Sequence, residues 1–271
     1  MHRILIFNLG GTSTKLAVFD EETLVVEGTI RHTDREIQGC TDNAEQIAFR
    51  RGAIEAWLLE NHISLDDLSA VVIRSSGAGL CKKGGTYLVT GKLRDGMYAA
   101  YRGSFPKAPH PSFIVLPLAD EILGSRPIPI YIVDPDGVDE FQDVAYITGH
   151  PDLPRSSGFH VLNHKAIARK ASRDLGKRYE DADLVVAHMG GGISIAAHRH
   201  GLVVDSTSGG SAGEGPFGTN RTGPLPLNKL VDRCFSGEYT KSEIMDLIMT
   251  QGGFLAHTGC TDLRIIEQKA A

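Results

Sequence analysis

The residues best suited to chemistry in this chain are those that would receive a negatively charged group. Asn8-Leu9-Gly10-Gly11-Thr12-Ser13-Thr14-Lys15 puts glycines, hydroxyls and a lysine into one short turn. Backbone N–H groups in such a turn can cradle phosphate, and Thr12, Ser13 and Lys15 can add hydrogen bonds and charge. A plain hairpin turn has a similar composition, because glycine and Ser/Thr dominate turns generally. That bland reading loses ground at a second copy, His188-Met189-Gly190-Gly191-Gly192. Three successive glycines are entropically costly and make sense where a ligand must touch the backbone. Arg74 and Asp134 each follow an apolar run, Ala70-Val71-Val72-Ile73 and Ile128-Pro129-Ile130-Tyr131-Ile132-Val133. Strand ends are where ligand sites gather in α/β folds. There an arginine can clamp an anion and an aspartate can hold magnesium, although a solvated loop charge accounts for either residue equally well. His160, at a helix start, could donate its ring N–H to an oxyanion; a surface or capping histidine is the competing reading. Arg221, inside Gly218-Thr219-Asn220-Arg221-Thr222-Gly223, could stabilise charge on a phosphoryl group in transfer, or be a solvated loop arginine.

Such residues need rigid elements behind them, and the sequence contains the same unit twice. Ile4-Leu5-Ile6-Phe7 runs into Asn8, a glycine turn and Leu16-Ala17-Val18-Phe19. Leu184-Val185-Val186-Ala187 runs into His188, the glycines and Ile193-Ser194-Ile195-Ala196-Ala197. Asn8 aligns with His188, Gly10 with Gly190 and Gly11 with Gly191, without a gap. A third apolar run follows each copy, Leu24-Val25-Val26 or Leu202-Val203-Val204. Each copy reads as three strands joined by turns. The duplication predicts an α/β fold of two similar domains facing one cleft. The first strand is apolar on both faces, which predicts central burial. Asp42 and Glu45 have capping-box spacing, and a helix with Ile47, Ile54, Trp57 and Leu58 on one face should follow. Pro106, Pro109, Pro111 and Pro117 argue against a long regular helix in their stretch. A helix over roughly 160–175 is stopped by Gly176. Helical patterning resumes with Leu230, Ile244, Leu247 and Ile248 and persists to the last residue. Gly149, Pro151, Pro154 and Gly158 cluster where a boundary is expected, giving domains 1–150 and 151–271.

A chain of 271 residues with 41% hydrophobic content can build two modest cores. Its net charge of -5 argues against an electrostatic nucleic-acid binder. The densest basic pairs, Arg50-Arg51 and Lys82-Lys83, read as solvated surface. No apolar run approaches the roughly 20 residues of a membrane helix, and no secretory leader pattern opens the chain. Cys40, Cys81, Cys234 and Cys260 are scattered and form no C-x-x-C pair, as expected of reduced thiols in a cytoplasmic enzyme. A Walker loop, a G-x-S-x-G elbow, an H-E-x-x-H pair and a G-x-G-x-x-G with a following acid are all lacking, so those chemistries have no support.

Together these strings resemble the acetate/butyrate kinase, or acetokinase, family, most closely its butyrate kinases. The resemblance is carried by Ile6 to Lys15, by Lys83-Gly84-Gly85-Thr86-Tyr87 and by Ile132-Val133-Asp134-Pro135 with Asp139-Glu140. It continues through Phe159-His160-Val161-Leu162-Asn163-His164-Lys165-Ala166, Ala187 to Ser194, Gly213-Glu214-Gly215-Pro216-Phe217 and Cys234-Phe235-Ser236-Gly237. The resemblance implies the duplicated fold of actin, sugar kinases and heat-shock chaperones, with ribonuclease H-like mixed sheets around a nucleotide cleft. It implies reversible, magnesium-dependent phosphoryl transfer between ATP and a short-chain carboxylate such as butyrate, giving an acyl phosphate and ADP. It further implies a cytoplasmic homodimer or higher homo-oligomer with no nucleic-acid or membrane partner. By motif position, Asn8, Gly10, Gly11, Thr12, Ser13 and Lys15 would serve the phosphates. Asn8 and Asp134 would attend the magnesium, and Arg74 the substrate carboxylate. His160 and Arg221 would stabilise the phosphoryl group in transit. His188, Gly190, Gly191 and Gly192 would face the nucleotide phosphates, with Asp262 and Arg264 near the adenosine. Residues 103–118 depart from the family pattern, and the resemblance implies a further C-terminal segment.

A carboxylate is already ionised at pH 7, so phosphorylating it needs no general base. The work is alignment and neutralisation of charge between two anions, which suits arginines and histidines at the centre. The alternative is a truncated remnant that binds phosphate compounds without turnover. A sugar kinase would want an aspartate base for a hydroxyl, and the sequence offers no clear one.

Overall fold

The computed structural model describes residues 1–103, 111–190, 192–207 and 214–270. Near the start, Leu5, Phe7 and Leu9 are buried while Ile4, Ile6 and Asn8 are only half-buried, the alternation of a strand covered on one face. This strand, β1 (Arg3–Leu9), pairs antiparallel with β2 (Ser13–Asp20), and β2 with β3 (Thr23–Arg31). The strands β4 (Ala70–Ile73), β5 (Thr86–Leu88) and β6 (Ile130–Val133) complete a mixed sheet of order β3-β2-β1-β4-β6-β5. Within it β1, β4 and β6 run parallel, and β5 runs antiparallel to β6. The first strand is central, as its apolar character requires, but helices cover only the Leu5 face.

That cover begins with α1 (Asp34–Gly39) and α2 (Asn43–Glu60). The Asp42 carboxylate starts α2 by accepting the Glu45 N–H at 2.8 Å. Ile47, Ile54, Trp57 and Leu58 then bury against the sheet. Two more helices follow, α3 (Gly91–Gly103) and α4 (Pro111–Leu123). From Pro111 on, the proline-rich stretch does form a regular helix, contrary to expectation. Pro111 is its first residue, where a missing N–H costs nothing. Pro117 sits inside, at a cost of about 3 kcal/mol. Ile114, Val115, Leu116 and Leu118 are fully buried, and at about 1.5–3 kcal/mol each they outweigh it. Pro106 and Pro109 lie outside the described residues.

In the second half, α5 (Val161–Asp174) ends at Leu175, with Gly176 at φ 68° just beyond. The strands β7 (Leu184–Met189), β8 (Ile193–Arg199) and β9 (Leu202–Ser206) form an antiparallel meander, a repeat of β1-β2-β3. Then come α6 (Leu227–Cys234), α7 (Lys241–Met249), α8 (Gly253–Thr258) and α9 (Leu263–Ala270). The two hairpins differ in one respect. Asn8 pairs with Lys15, but His188 pairs with Ser194, so the second turn is shorter and Ser194 stands where the first hairpin has its lysine.

The chain divides into the units Met1–Val138 and Asp139–Ala271, ahead of the glycine–proline cluster at 149–158. The intervening segment is bonded to the second unit. Gln142 N–H donates to Val204 O at 3.1 Å, and Ala145 O accepts from Arg155. Above all, Glu140 pairs with Lys165 of α5 at 2.8 Å, each only 2% exposed. Glu140 also accepts the Val203 N–H, and Lys165 donates to Gly201 O, which ties α5 to the β8–β9 turn. Glu140→Gln or Lys165→Met leaves one charge buried without its partner, at a cost of about 3–5 kcal/mol. Urea unfolding should show that loss for each single variant, and the double variant Glu140→Leu with Lys165→Met should recover much of it.

Candidate functional site

Between β1 and β2 the chain turns tightly, with Gly10 N–H donating to Ser13 O at 2.7 Å. Behind this turn lies Arg50 of α2, at 0% exposure. Its Nη1 donates to Ser13 O at 3.1 Å and Thr14 Oγ1 at 2.9 Å, and its Nη2 to Gly10 O and Gly11 O at 2.9 Å each. Among the described residues no carboxylate pairs with it. Burial pulls its pKa down to about 10, which leaves it a cation at neutral pH. Arg50 is thus not solvated surface; its neighbour Arg51 is, reaching Glu55 and Glu121. The helical phase contained the signal, since Arg50 falls on the Ile47 and Ile54 face. The consequence is electrostatic. In a trans peptide the N–H points opposite to the C=O. With Gly10 O and Gly11 O turned onto Arg50, the N–H groups of Gly11 and Thr12 point away from it. The turn presents amide hydrogens outward over a buried positive charge, an arrangement that can receive an anion. Asn8 and Lys15 flank it and line a groove of about 540 Å³ with Ile6, Ala17, Glu27 and Thr29.

Because β1, β4 and β6 are parallel, their C-terminal ends share one sheet edge. Asn8, Arg74 and Asp134 stand along that edge. Phe7 lies opposite Ile73, and Arg74 N–H donates to Phe7 O at 3.0 Å. The Arg74 guanidinium reaches Asp136 at 3.2 Å and is partly exposed, so an anion can compete for it. Asp134 is 1% exposed and adopts φ 42°. It exchanges hydrogen bonds with Gly85, whose N–H donates to Oδ1 at 2.8 Å and whose O accepts the Asp134 N–H at 2.9 Å. The Lys83-Gly84-Gly85 string thereby delivers β5 to its place beside β6. Among the described residues no group of three or more His, Cys, Asp or Glu is arranged to hold a metal ion. A single hard carboxylate suits magnesium, which keeps waters and takes one or two carboxylates beside substrate phosphates.

The second hairpin is built differently. Gly190 N–H donates to Gly192 O at 3.1 Å; Gly191 lies outside the described residues. His188 closes β7, and His160 is the N-cap of α5. Their rings stack at 3.7 Å and 11°. Asn163 Nδ2 lies 2.8 Å from His188 Nδ1. Ser194 Oγ lies 2.9 Å from His160 Nδ1 and 2.8 Å from His164 Nε2. Burial pulls His164 down to about 4, with His188 adding to the effect, and burial also lowers His188. His198, bonded to Tyr179 Oη at 2.7 Å, is likewise pulled to about 4 by burial. Ser194, Ala196 and His198 are the inward positions of β8, so polar residues at period two were the signal for this cluster.

Arg221 is half-buried on a pinned loop. Gly218 N–H donates to Arg221 O, and Thr222 N–H to Ile248 O. At the start of α8, the Gly252, Phe254 and Leu255 amides donate to Asn220 O, Gly218 O and Thr219 O. Gly253 must be glycine here, since a Cβ would lie 2.1 Å from Gly218 O. Arg155 holds the loop after β9 by bonding both Glu214 and Asp205. Asp262 and Arg264 satisfy each other at the start of α9, their carboxylate and guanidinium 2.6 Å apart; this pairing holds Asp262 down to about 2. Sequence reasoning missed Arg50, Arg155 and the Ser194–His164 contact.

Two outcomes follow from these geometries. Arg50→Met strips Gly10 O and Gly11 O of their donor, while Ser13 O keeps the Gly10 N–H, and at about 1–3 kcal/mol per orphaned group the first unit should lose at least about 2 kcal/mol in a urea melt. His164 and His198 bind protons more weakly folded than unfolded, so the unfolded chain gains protons first on acidification. Stability of the second unit should therefore fall as pH drops from 6.5 towards about 4, as thermal melts across that range would show.

The sequence model of the Acetokinase family matches residues 150–271. The chain is 40% identical over 270 residues to a protein named "Probable butyrate kinase" from Clostridium botulinum strain Alaska E43, covering 99% of this chain and 74% of that protein. It is 39% identical over 272 residues to butyrate kinase 1 of Clostridium acetobutylicum, covering 100% and 74%. Among solved structures, Porphyromonas gingivalis acetate kinase superposes with a TM-score of 0.77 at 19% identity, over 99% of this chain and 73% of that one. That likeness carries the duplicated, actin-like α/β fold with its mixed sheet. On the strength of the near full-length identity, this chain belongs to the acetokinase family.

Proposed function

We propose that this protein is an ATP-dependent kinase of a short-chain carboxylate, butyrate or a similar acid, forming an acyl phosphate and ADP reversibly. The observation that carries the reading is the Arg50-backed turn, whose outward amides and buried charge suit a polyphosphate. The names of the relatives, butyrate kinases at about 40% identity, support the same reading. Asn8, Gly10, Gly11, Thr12, Ser13 and Lys15 bind phosphate oxygens of ATP through backbone and side-chain donors. Asp134, with Asn8, holds magnesium. When bound, the ion would supply positive charge that neutralises the phosphate oxygens.

Arg74 gives up its loose contact with Asp136 and takes the substrate carboxylate. His160 and Arg221 donate to the phosphoryl oxygens as charge redistributes in transit. His188 with Gly190, Gly191 and Gly192 serves the nucleotide phosphates, and Asp262 and Arg264 serve the adenosine side. The ionised acid is its own nucleophile, so no residue acts as base. The reading places the enzyme in the cytoplasm as a homodimer or higher homo-oligomer. Among the described residues no helix is long and apolar enough to cross a membrane.

Incubating the purified protein with ATP, magnesium, hydroxylamine and a series of short acids should yield acyl hydroxamate that depends on both ATP and acid. Arg221→Ala should lower kcat by about 10²-fold or more, because its contact strengthens in the transition state. Arg74→Ala should also raise KM for the acid. No hydroxamate with any acid, or near wild-type kinetics for both variants, would refute the assignment.

A further inference from the structure

We propose that Ser194 and His164 are positioning residues that decide which nitrogen of His160 carries its proton, making His160 a donor through Nε2. Ser194 Oγ is fully buried and has three neighbours. These are His164 Nε2 at 2.8 Å, His160 Nδ1 at 2.9 Å and the His160 backbone N–H at 3.4 Å. A hydroxyl has one proton to give and two lone pairs to receive with. The backbone amide can only donate, so one lone pair is taken. Of the two rings, one must therefore donate to Ser194 and the other must accept from it.

His164 settles which. Its Nδ1 is buried and has no hydrogen-bond partner. A buried N–H without an acceptor is among the rarest features of folded proteins, whereas a bare ring lone pair loses far less. The His164 proton therefore sits on Nε2 and is donated to Ser194. The hydroxyl's second lone pair is then used, and its own proton must go to His160 Nδ1. His160, accepting at Nδ1, carries its proton on Nε2. His164 does not escape this logic by binding a second proton, since burial disfavours its cationic form.

The neighbouring ring obeys a parallel constraint. An amide NH₂ only donates, so His188 Nδ1 accepts from Asn163 Nδ2 and its proton also lies on Nε2. The two imidazoles stacked at 3.7 Å are thus set in the same sense. A ring held with a bare Nε2 would turn a lone pair towards anionic oxygens and repel them; one held with Nε2–H attracts them. The role given to His160 at the phosphoryl group rests on the proposed kinase reading, but the position of its proton does not.

The test reads the proton directly. Long-range ¹H–¹⁵N correlation spectra of the histidine-labelled full chain at neutral pH, assigned with His160→Gln and His164→Gln, report which ring nitrogen is protonated. Both His160 and His164 should show protonated Nε2 and bare Nδ1 in the wild type, a result that needs no variant to fold. Ser194→Ala should convert His160 to a mixture of tautomers. In the acyl hydroxamate assay it should lower kcat by roughly 10-fold or more while KM for ATP changes little, and Ser194→Thr, which keeps the hydroxyl, should restore both readouts. A protonated Nδ1 on either ring in the wild type, or a Ser194→Ala protein with unchanged tautomers, would overturn the inference. If the spectra behave as expected and the wild type makes no acyl hydroxamate, the proton assignment stands and the kinase reading falls.

Discussion

A guanidinium sealed beneath a glycine turn, with no acid opposite it among the described residues, is the interaction on which the first unit depends. Burying a cation is expensive unless its donors are all answered. Here Nη1 and Nη2 are answered by Gly10 O, Gly11 O, Ser13 O and Thr14 Oγ1, while Nε is buried without a partner. Those bonds lock the β1–β2 turn, anchor α2 against it and orient the peptide dipoles. The positive potential that remains is directed through the turn rather than cancelled inside the protein. A carboxylate partner would make the fold easier to build and the turn useless to an anion.

The second copy of the hairpin keeps the backbone and changes the chemistry. Its shorter turn brings Ser194 to the position of Lys15. With that one change a flexible cation gives way to a buried hydroxyl between two imidazoles. No cation underlies this turn among the described residues, and the surrounding histidines that burial depresses are neutral at pH 7. One hairpin attracts charge by long-range potential; the other offers directed hydrogen bonds. The two hairpins share a scaffold, and their residues give them different chemistry.

Charged groups also fix the loops that carry other site residues. Arg155 holds Glu214 and Asp205 together, and Lys165 with Glu140 ties α5 to the strands beside it. His160 starts α5, so the buried pair at Lys165 helps set where that histidine stands. The loop that carries Arg221 is held by backbone bonds, through a glycine that lets α8 approach it.

Much of this was legible in the residues. The duplicated strand–glycine–strand unit, the helices begun at Asp42 and stopped at Gly176, and the placement of Arg74 and Asp134 at strand ends all rest on local rules of period, capping and turn chemistry. Those rules act over a few residues, and a sequence displays them directly. The fate of Arg50 was different, because its partners lie 36–40 residues away and only packing of α2 onto the hairpin brings them together. The same holds for Ser194 with His160 and His164, and for Glu140 with Lys165, whose pairing assigns residues 139–150 to the second unit. Pro117 stayed helical because burial of its neighbours outweighed the bond it removed. Local propensity is written in neighbouring residues, whereas the energy of a buried polar or charged group depends on which distant atoms fill its hydrogen bonds, and only the tertiary structure decides that.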